Sequence, residues 1–182
     1  MAKYTFVKSA RKDVAGTDIK KGESYYWWKF RYGSKKCSRT KPTRSQLTQS
    51  NFLSQLYDIE DKLSDFSCED EDTFNAFKEE IMGEIEVLKD ETQDSFDNIP
   101  EQLQSAPTGE FLQERIDALE QWYEEIDCID CNIDEEEIRE EITTEEEENE
   151  LPEEEIQERV DEKIKEKFAE LSSELSCITH NL

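Results

Sequence analysis

The stretch SYYWWKFRYGSKKCSRT, residues 24–40, decides the N-terminal fold of this chain because aromatic side chains fit the pleated surface of a strand. Gly33-Ser34 interrupts the stretch and can turn the chain, so residues 35–40 are predicted to return as the partner strand of a hairpin. A further short strand is predicted for YTFVK, residues 4–8. The sequence therefore predicts a small antiparallel hairpin or three-stranded sheet that closes at Pro42.

Beyond this sheet the spacing of apolar residues changes from two to three or four, which is typical of amphipathic helices. Three apolar stripes follow one another, in residues 52–66, 74–88 and 112–126. A Pro- and Gly-containing break separates the last two, and Thr108 is the expected N-cap of the third helix. The predicted fold class is α+β and mostly α, with long acidic helices forming a bundle or a coiled-coil hairpin.

Charge divides the chain more sharply than any motif does. The first 45 residues carry 13 basic and 3 acidic side chains, whereas the whole chain has a net charge of -26. We expect four segments: a basic aromatic β-rich head at 1–45, an acidic helical hairpin or bundle at 46–127, an acidic low-complexity segment at 128–155, and a C-terminal amphipathic helix at 156–182. Such asymmetry is a recognised sign of nucleic-acid contact.

The sequence also indicates the compartment. No run approaches the ~20 apolar residues of a membrane span, and the N-terminus lacks the apolar region of a secretory signal. The cysteines are five in number, and their spacing predicts no disulfide framework. We therefore expect a protein of the reducing cytoplasm without membrane contact.

Alternation along the central strand predicts a nucleic-acid surface. Two aromatic and two cationic side chains are expected to point to one side of this strand, and a cation from the next strand extends the set. Cations suit phosphates, while exposed aromatic rings suit unstacked bases. The alternatives are that the two rings are buried, that the basic surface docks a protein, or that the basic residues neutralise the chain's own acidic helices. The predicted contact residues are Tyr25, Trp27, Lys29, Arg31, Lys36 and Arg39.

A zinc set is the one metal hypothesis that the sequence offers. Cys128-x-x-Cys131 and Cys177-x-x-His180 together supply three thiols and an imidazole, a set that suits tetrahedral zinc. However, 45 residues separate the two halves, and neither half has a glycine-turned knuckle. The preferred interpretation is four side chains with no common role, so no cofactor is expected.

Motifs that would indicate an enzyme are missing from the sequence. It contains no P-loop, G-x-G-x-x-G, G-x-S-x-G or H-E-x-x-H pattern, and its one histidine is His180. With 48 acidic residues, neighbouring carboxylates are expected on solvated helix faces and do not mark a metal-dependent nuclease. We expect a non-enzymatic protein.

The run 134–155 holds 14 acidic residues and one arginine. If helical at ~1.5 Å per residue, it would carry one net charge per ~2.5 Å, of the order of duplex DNA at ~1.7 Å. One hypothesis is therefore a nucleic-acid mimic that attracts basic proteins. The competing interpretation is a solvated spacer, which is the usual role of a block of like charge.

Two resemblances bear on function. KGESYYWWKFRYGSKKCSRTKPTRSQLTQS, residues 21–50, and FDNIPEQLQSAPTGEFLQERIDALE, residues 96–120, resemble a family of tailed-bacteriophage and prophage proteins over most of residues 1 to about 126. This resemblance implies no particular activity, but it implies a virus-encoded protein acting in the bacterial host cytoplasm. Separately, residues 25–40 resemble the three-stranded arm-binding domain of phage tyrosine recombinases, which implies DNA contact by the sheet.

Three functions follow from these observations as hypotheses. The first is a phage accessory or regulatory protein whose basic head contacts DNA or RNA, with the helices supplying partner contact or homo-oligomerisation. The second is an acidic nucleic-acid mimic that inhibits a basic host defence or transcription protein. The third is a structural component of the virion.

Overall fold

The computed structural model describes residues 1–145 and 152–178. The fold is α+β and mostly α, as predicted, with three strands followed by helices. It divides into an N-terminal unit, Met1–Ile59, and a C-terminal unit, Glu60–Leu182. The elements are β1 (Tyr4–Val7), β2 (Tyr25–Lys29), β3 (Lys35–Ser38), a 3-10 turn (Ser45–Leu47), α1 (Asn51–Asp65), α2 (Glu71–Asp97), α3 (Glu101–Gln104), α4 (Pro107–Asp127), α5 (Glu135–Glu145) and α6 (Glu153–Cys177).

The three strands form one antiparallel sheet in the order β1-β2-β3, which confirms the predicted sheet. Its hairpin register differs from the prediction, because β2 ends at Lys29 and the connection spans residues 30–34 rather than two residues. Lys29 consequently lies opposite Lys35, and Trp28 lies opposite Lys36. A two-residue turn at Gly33-Ser34 would shift this pairing by three residues, and an odd shift moves every β3 side chain to the other face.

Between β1 and β2 the chain folds back on itself instead of forming a featureless loop. The amide of Ala10 donates to the carbonyl of Glu23 at 2.8 Å, and Ala10 and Ile19 are buried. The Asp13 carboxylate accepts from the amide of Lys21 at 2.8 Å. Gly22 adopts φ 96°, a left-handed conformation that glycine tolerates without strain.

In the C-terminal unit, α2 and α4 pack against each other as an antiparallel pair. Lys89 lies 3.8 Å from Glu120, and Lys78 near the start of α2 lies by the end of α4. The predicted stripes at 74–88 and 112–126 supply this core, in which Trp122 is buried and the neighbouring Tyr123 is half-buried. The fully buried side chains of the pair are Phe74, Ile81, Ile85, Leu88, Leu119, Trp122 and Ile126.

The start of α4 corrects the predicted N-cap. Ala106 occupies the N-cap position and Pro107 the first helical position, so Thr108 already lies inside the helix. The ring of a proline presets φ near the helical value, and proline lacks the N–H that the first helical position leaves unpaired. The prediction of Thr108 as the N-cap was therefore wrong.

Part of the acidic run is helical, a state that its composition left open. Residues Glu135–Glu145 form α5, and Ile138 and Ile142 are buried in a cluster with Val160 of α6. The expected boundary between segments 128–155 and 156–182 therefore lies inside α6, which packs against α5. Residues 146–151 lie outside the described ones. The boundary expected at residue 45 also differs, since the N-terminal unit extends to Ile59, within α1.

A helix that spans a membrane needs about 20 predominantly apolar residues. Within residues 1–145 and 152–178, none of the helices combines the length and the apolar composition of a membrane span.

Candidate nucleic-acid interface

Positive charge is concentrated in the N-terminal unit, which holds 13 basic and 4 acidic side chains. Two of these acids serve the fold of the segment between β1 and β2. Asp13 accepts an amide hydrogen bond, and Glu23 accepts from the amide of Lys20 and from Arg39. The Lys20 amide and then the Arg39 guanidinium lower the pKa of Glu23, so this carboxylate stays ionised and bound. The N-terminal unit has two further acidic residues, Asp18 and Asp58.

One side of the sheet, the Trp27 face, carries Tyr25, Trp27 and Lys29 of β2. The register adds Lys35 from β3, because directly opposed residues share a face. The Lys35 ammonium stands 4.3 Å from the centroid of the Trp27 ring and 5.7 Å from that of Tyr25, while both rings are half-buried. Lys29 and Lys35 are like charges opposite each other, which destabilises a sheet and favours an external anion.

Three of the predicted contact residues lie elsewhere than expected. Lys36 lies opposite Trp28 and so belongs to the other face, because of the five-residue connection. Arg39 is held by the Glu23 carboxylate at 3.0 Å and by the carbonyl of Asp18 at 2.6 Å. Arg31 follows the end of β2 and lies in the turn, with its guanidinium carbon 5.3 Å from the centroid of the Tyr32 ring.

The structure brings some of these cations together in another way, along two adjacent grooves. The first has a volume of about 430 Å³, and its cationic lining residues are Lys3, Lys29 and Arg31. The second, of about 400 Å³, includes Lys36. The two share Phe30 and the polar residues 48–49.

The grooves are lined by cationic, polar and apolar side chains. Among the described residues that line either groove, none is acidic. Besides the four cations, the second groove presents hydroxyl and amide side chains from Ser34 and from residues 48–51 and 54. Hydroxyls, amides and cations are the groups that contact phosphate oxygens in nucleic-acid complexes. We call the pair the phosphate track.

Exposed aromatic rings form a second feature that the sequence argument missed. Phe6 is 53% exposed and Tyr4 is 40% exposed, both on β1, whereas Trp28 opposite Tyr4 is buried. We define Tyr4, Phe6 and Tyr26 as the ring patch, since their pairing places them on one face. The signal for it was present in YTFVK, where aromatic residues alternate with smaller ones.

The cysteines do not assemble the hypothetical zinc set within the described residues. Cys131 is buried, and burial raises the pKa of its thiol, whereas Cys128 and Cys177 are exposed. No group of three or more thiol, imidazole or carboxylate side chains capable of holding a metal occurs in residues 1–145 and 152–178. His180 lies outside these residues.

The acidic helices present their carboxylates outward. In α5, Glu136, Glu137 and Glu140 are exposed, while Arg139 lies 3.7 Å from Glu135 and donates to Gln157. The apolar side of α5 packs against α6, and residues 135–141 present an acidic surface on the other side.

Comparison of this chain with protein-family models, with curated proteins and with solved structures finds no match.

Proposed function

We propose that this chain is a non-enzymatic, phage-encoded accessory protein of the bacterial host cytoplasm whose N-terminal unit binds nucleic acid. The observation that carries the proposal is the phosphate track, in which four cations line two adjoining grooves without a carboxylate among their described lining residues. Basic side chains kept together without acidic partners repel one another, and a polyanion relieves that repulsion. Phosphates are therefore the chemically matched ligand.

The adjoining Trp27 face supports the same proposal. Lys29 lines the track and also stands opposite Lys35 on this face, so it links the two surfaces. Tyr25 and Trp27 hold the Lys35 ammonium by cation–π attraction, which positions a charge at a modest cost in side-chain entropy. Tyr25 and Trp27 thus remain predicted contacts, with Lys35 added to them.

Fluorescence anisotropy with the full-length chain tests the proposal. A labelled mixed-sequence oligonucleotide, single-stranded or duplex, is titrated with protein at several salt concentrations. Four phosphate contacts predict a slope of log K against log salt of about -3 to -4. Arg31→Ala should weaken binding to all sequences alike and reduce the slope by about 1.

The matched control is Lys165→Ala, which removes one exposed cation from α6 in the acidic unit. It should leave both affinity and slope unchanged. Absence of binding to either oligonucleotide at about 50 mM salt would refute the proposal. Equal weakening by Arg31→Ala and Lys165→Ala would also refute the phosphate track, since only net charge would then matter.

The second candidate function is nucleic-acid mimicry, and the helical state of α5 favours it. Mimicry requires carboxylates at fixed spacing, and α5 supplies six acidic residues and one arginine over 11 residues. At ~1.5 Å per residue, that is one net charge per ~3.3 Å, about half the density of duplex DNA. A chain with Glu136, Glu137 and Glu140 changed to lysine should lose a basic host partner that copurifies with the wild type. If the complex persists in that variant, α5 is not the mimic.

A further inference from the structure

The ring patch is unusual for its exposure. The Phe6 ring centroid lies 5.0 Å from that of Tyr26, and the Tyr4 centroid lies 5.9 Å from it. Neighbouring aromatic rings gain stability from such contacts, yet large apolar rings are normally also covered. Here β1 is an edge strand, and Phe6 and Tyr4 are 53% and 40% exposed. The patch therefore offers flat apolar surface to a ligand.

Its charge environment identifies the kind of ligand. Lys3 and Lys8 flank β1, both side chains are exposed, and the first acidic residue of the chain is Asp13. Lys36 of the phosphate track lies opposite Trp28, and Trp28 lies opposite Tyr4, so this cation and the ring patch share one face of the sheet. A ligand whose phosphates follow the track past Lys36 thus reaches the patch on the same face, two strands away at ~4.8 Å per strand.

We propose that the ring patch stacks unpaired bases, so that the polynucleotide bound by the N-terminal unit is single-stranded. This inference rests on the proposed function and adds the ligand class to it. Bases in a duplex are stacked on one another and expose only their edges in the grooves, whereas a single strand can lay a base on an exposed ring. A single strand can bind the track with its phosphates and stack its bases on Phe6 and Tyr4 at the same time.

A second copy of the chain is the alternative occupant, because an edge strand offers unpaired backbone groups to another strand. Charge disfavours this occupant. Pairing two N-terminal units through β1 would bring together two surfaces with 13 basic and 4 acidic side chains each. Lysines on an edge strand oppose such pairing, and Lys3 and Lys8 stand at both ends of β1.

The test compares single-stranded and duplex oligonucleotides of the same sequence, with the full-length protein and the variant Phe6→Ala. Loss of one stacked base predicts single-strand affinity reduced about 5- to 150-fold. Duplex affinity should change less than about twofold, because phosphate contacts persist. Phe6→Trp retains a ring and should restore single-strand binding. The matched control is Phe111→Ala, which removes a 50% exposed phenylalanine from α4 and should change neither affinity.

Other outcomes separate the inference from the proposed function. If Phe6→Ala binds the single strand as tightly as the wild type while Arg31→Ala weakens it, the inference fails and the proposed function stands. Equal losses for single strand and duplex would also overturn stacking. A dimer seen by sedimentation that Phe6→Ala dissociates, with affinity unchanged, would assign the patch to a second copy. No binding of either oligonucleotide by the wild type would refute the proposed function itself.

Discussion

Replacing glycine by alanine is expected to have opposite effects on the stability of the C-terminal unit at two helical positions, Gly83 and Gly109. Gly83 lies in the middle of α2, is exposed, and has no other residue's atom within 4 Å of the position that a Cβ would occupy. Alanine there restricts the unfolded chain and meets nothing in the folded one. Gly83→Ala should therefore stabilise the C-terminal unit by about 1 kcal/mol.

Gly109 lies in the first turn of α4 and is buried. A Cβ at this position would stand 2.5 Å from the carbonyl carbon of Gln104 and 2.6 Å from its Cα, and closer still to its carbonyl oxygen. These are backbone atoms, so α3 itself must move. Overpacking costs about 1–3 kcal/mol, and the upper end applies where backbone is displaced. The higher helix preference of alanine offsets ~1 kcal/mol of this cost. Gly109→Ala should therefore lower the free energy of unfolding of the C-terminal unit by about 2 kcal/mol.

Urea unfolding followed by circular dichroism at 222 nm measures both variants, because the C-terminal unit holds most of the helix. With a denaturant slope of ~2 kcal/mol/M, the midpoint should rise by about 0.5 M for Gly83→Ala and fall by about 1 M for Gly109→Ala. A Gly109→Ala midpoint at or above that of the wild type would refute the reasoning. It would mean that helix preference, rather than the α3–α4 contact, governs this position.

Two further predictions concern the helix ends. Lys78 donates to the carbonyls of Asp127 at 2.7 Å and Ile129 at 2.8 Å with a side chain only 13% exposed, so Lys78→Met should destabilise by about 2–3 kcal/mol in urea unfolding. The control Lys89→Met loses a 3.8 Å surface ion pair with Glu120 and should lower the free energy of unfolding by less than ~1 kcal/mol. Equal losses of stability in the two variants would contradict the assigned role of Lys78. Asp70 caps α2, and hydrogen bonds from the Thr73 hydroxyl and then the Thr73 amide lower the pKa of its carboxyl. Because its folded pKa is depressed, Asp70 stabilises the fold above its unfolded pKa and loses this effect as the pH falls through the folded value. Asp70→Ala should therefore lower the urea midpoint at pH 7 but not at about pH 2, and a difference that persists in acid would point to a cause other than the charged cap.

A net charge of -26 does not preclude binding of a polyanion by the N-terminal unit. At ~0.15 M ionic strength the screening length is ~8 Å, so the charges nearest to the ligand dominate its binding energy. The cations of the phosphate track belong to this local set.

Much of this architecture was determined by the sequence alone. Aromatic alternation in residues 24–32 predicted a strand, and three- to four-residue apolar spacing predicted the helices now seen as α2, α4 and α6. These patterns suffice because the periods of strand and helix are set by local backbone geometry. The charge difference between the two ends is likewise a property of composition.

Tertiary structure decided which side chains meet. Lys36 changed face because the hairpin connection has five residues, and Arg39 found Glu23 16 residues away. Phe6 stayed open while Trp28, two residues from Tyr26, became buried. Register and burial depend on partners distant in the chain, whose positions no local period contains. The sequence therefore predicted a basic aromatic sheet, and only the fold showed which of its rings and cations face outward together.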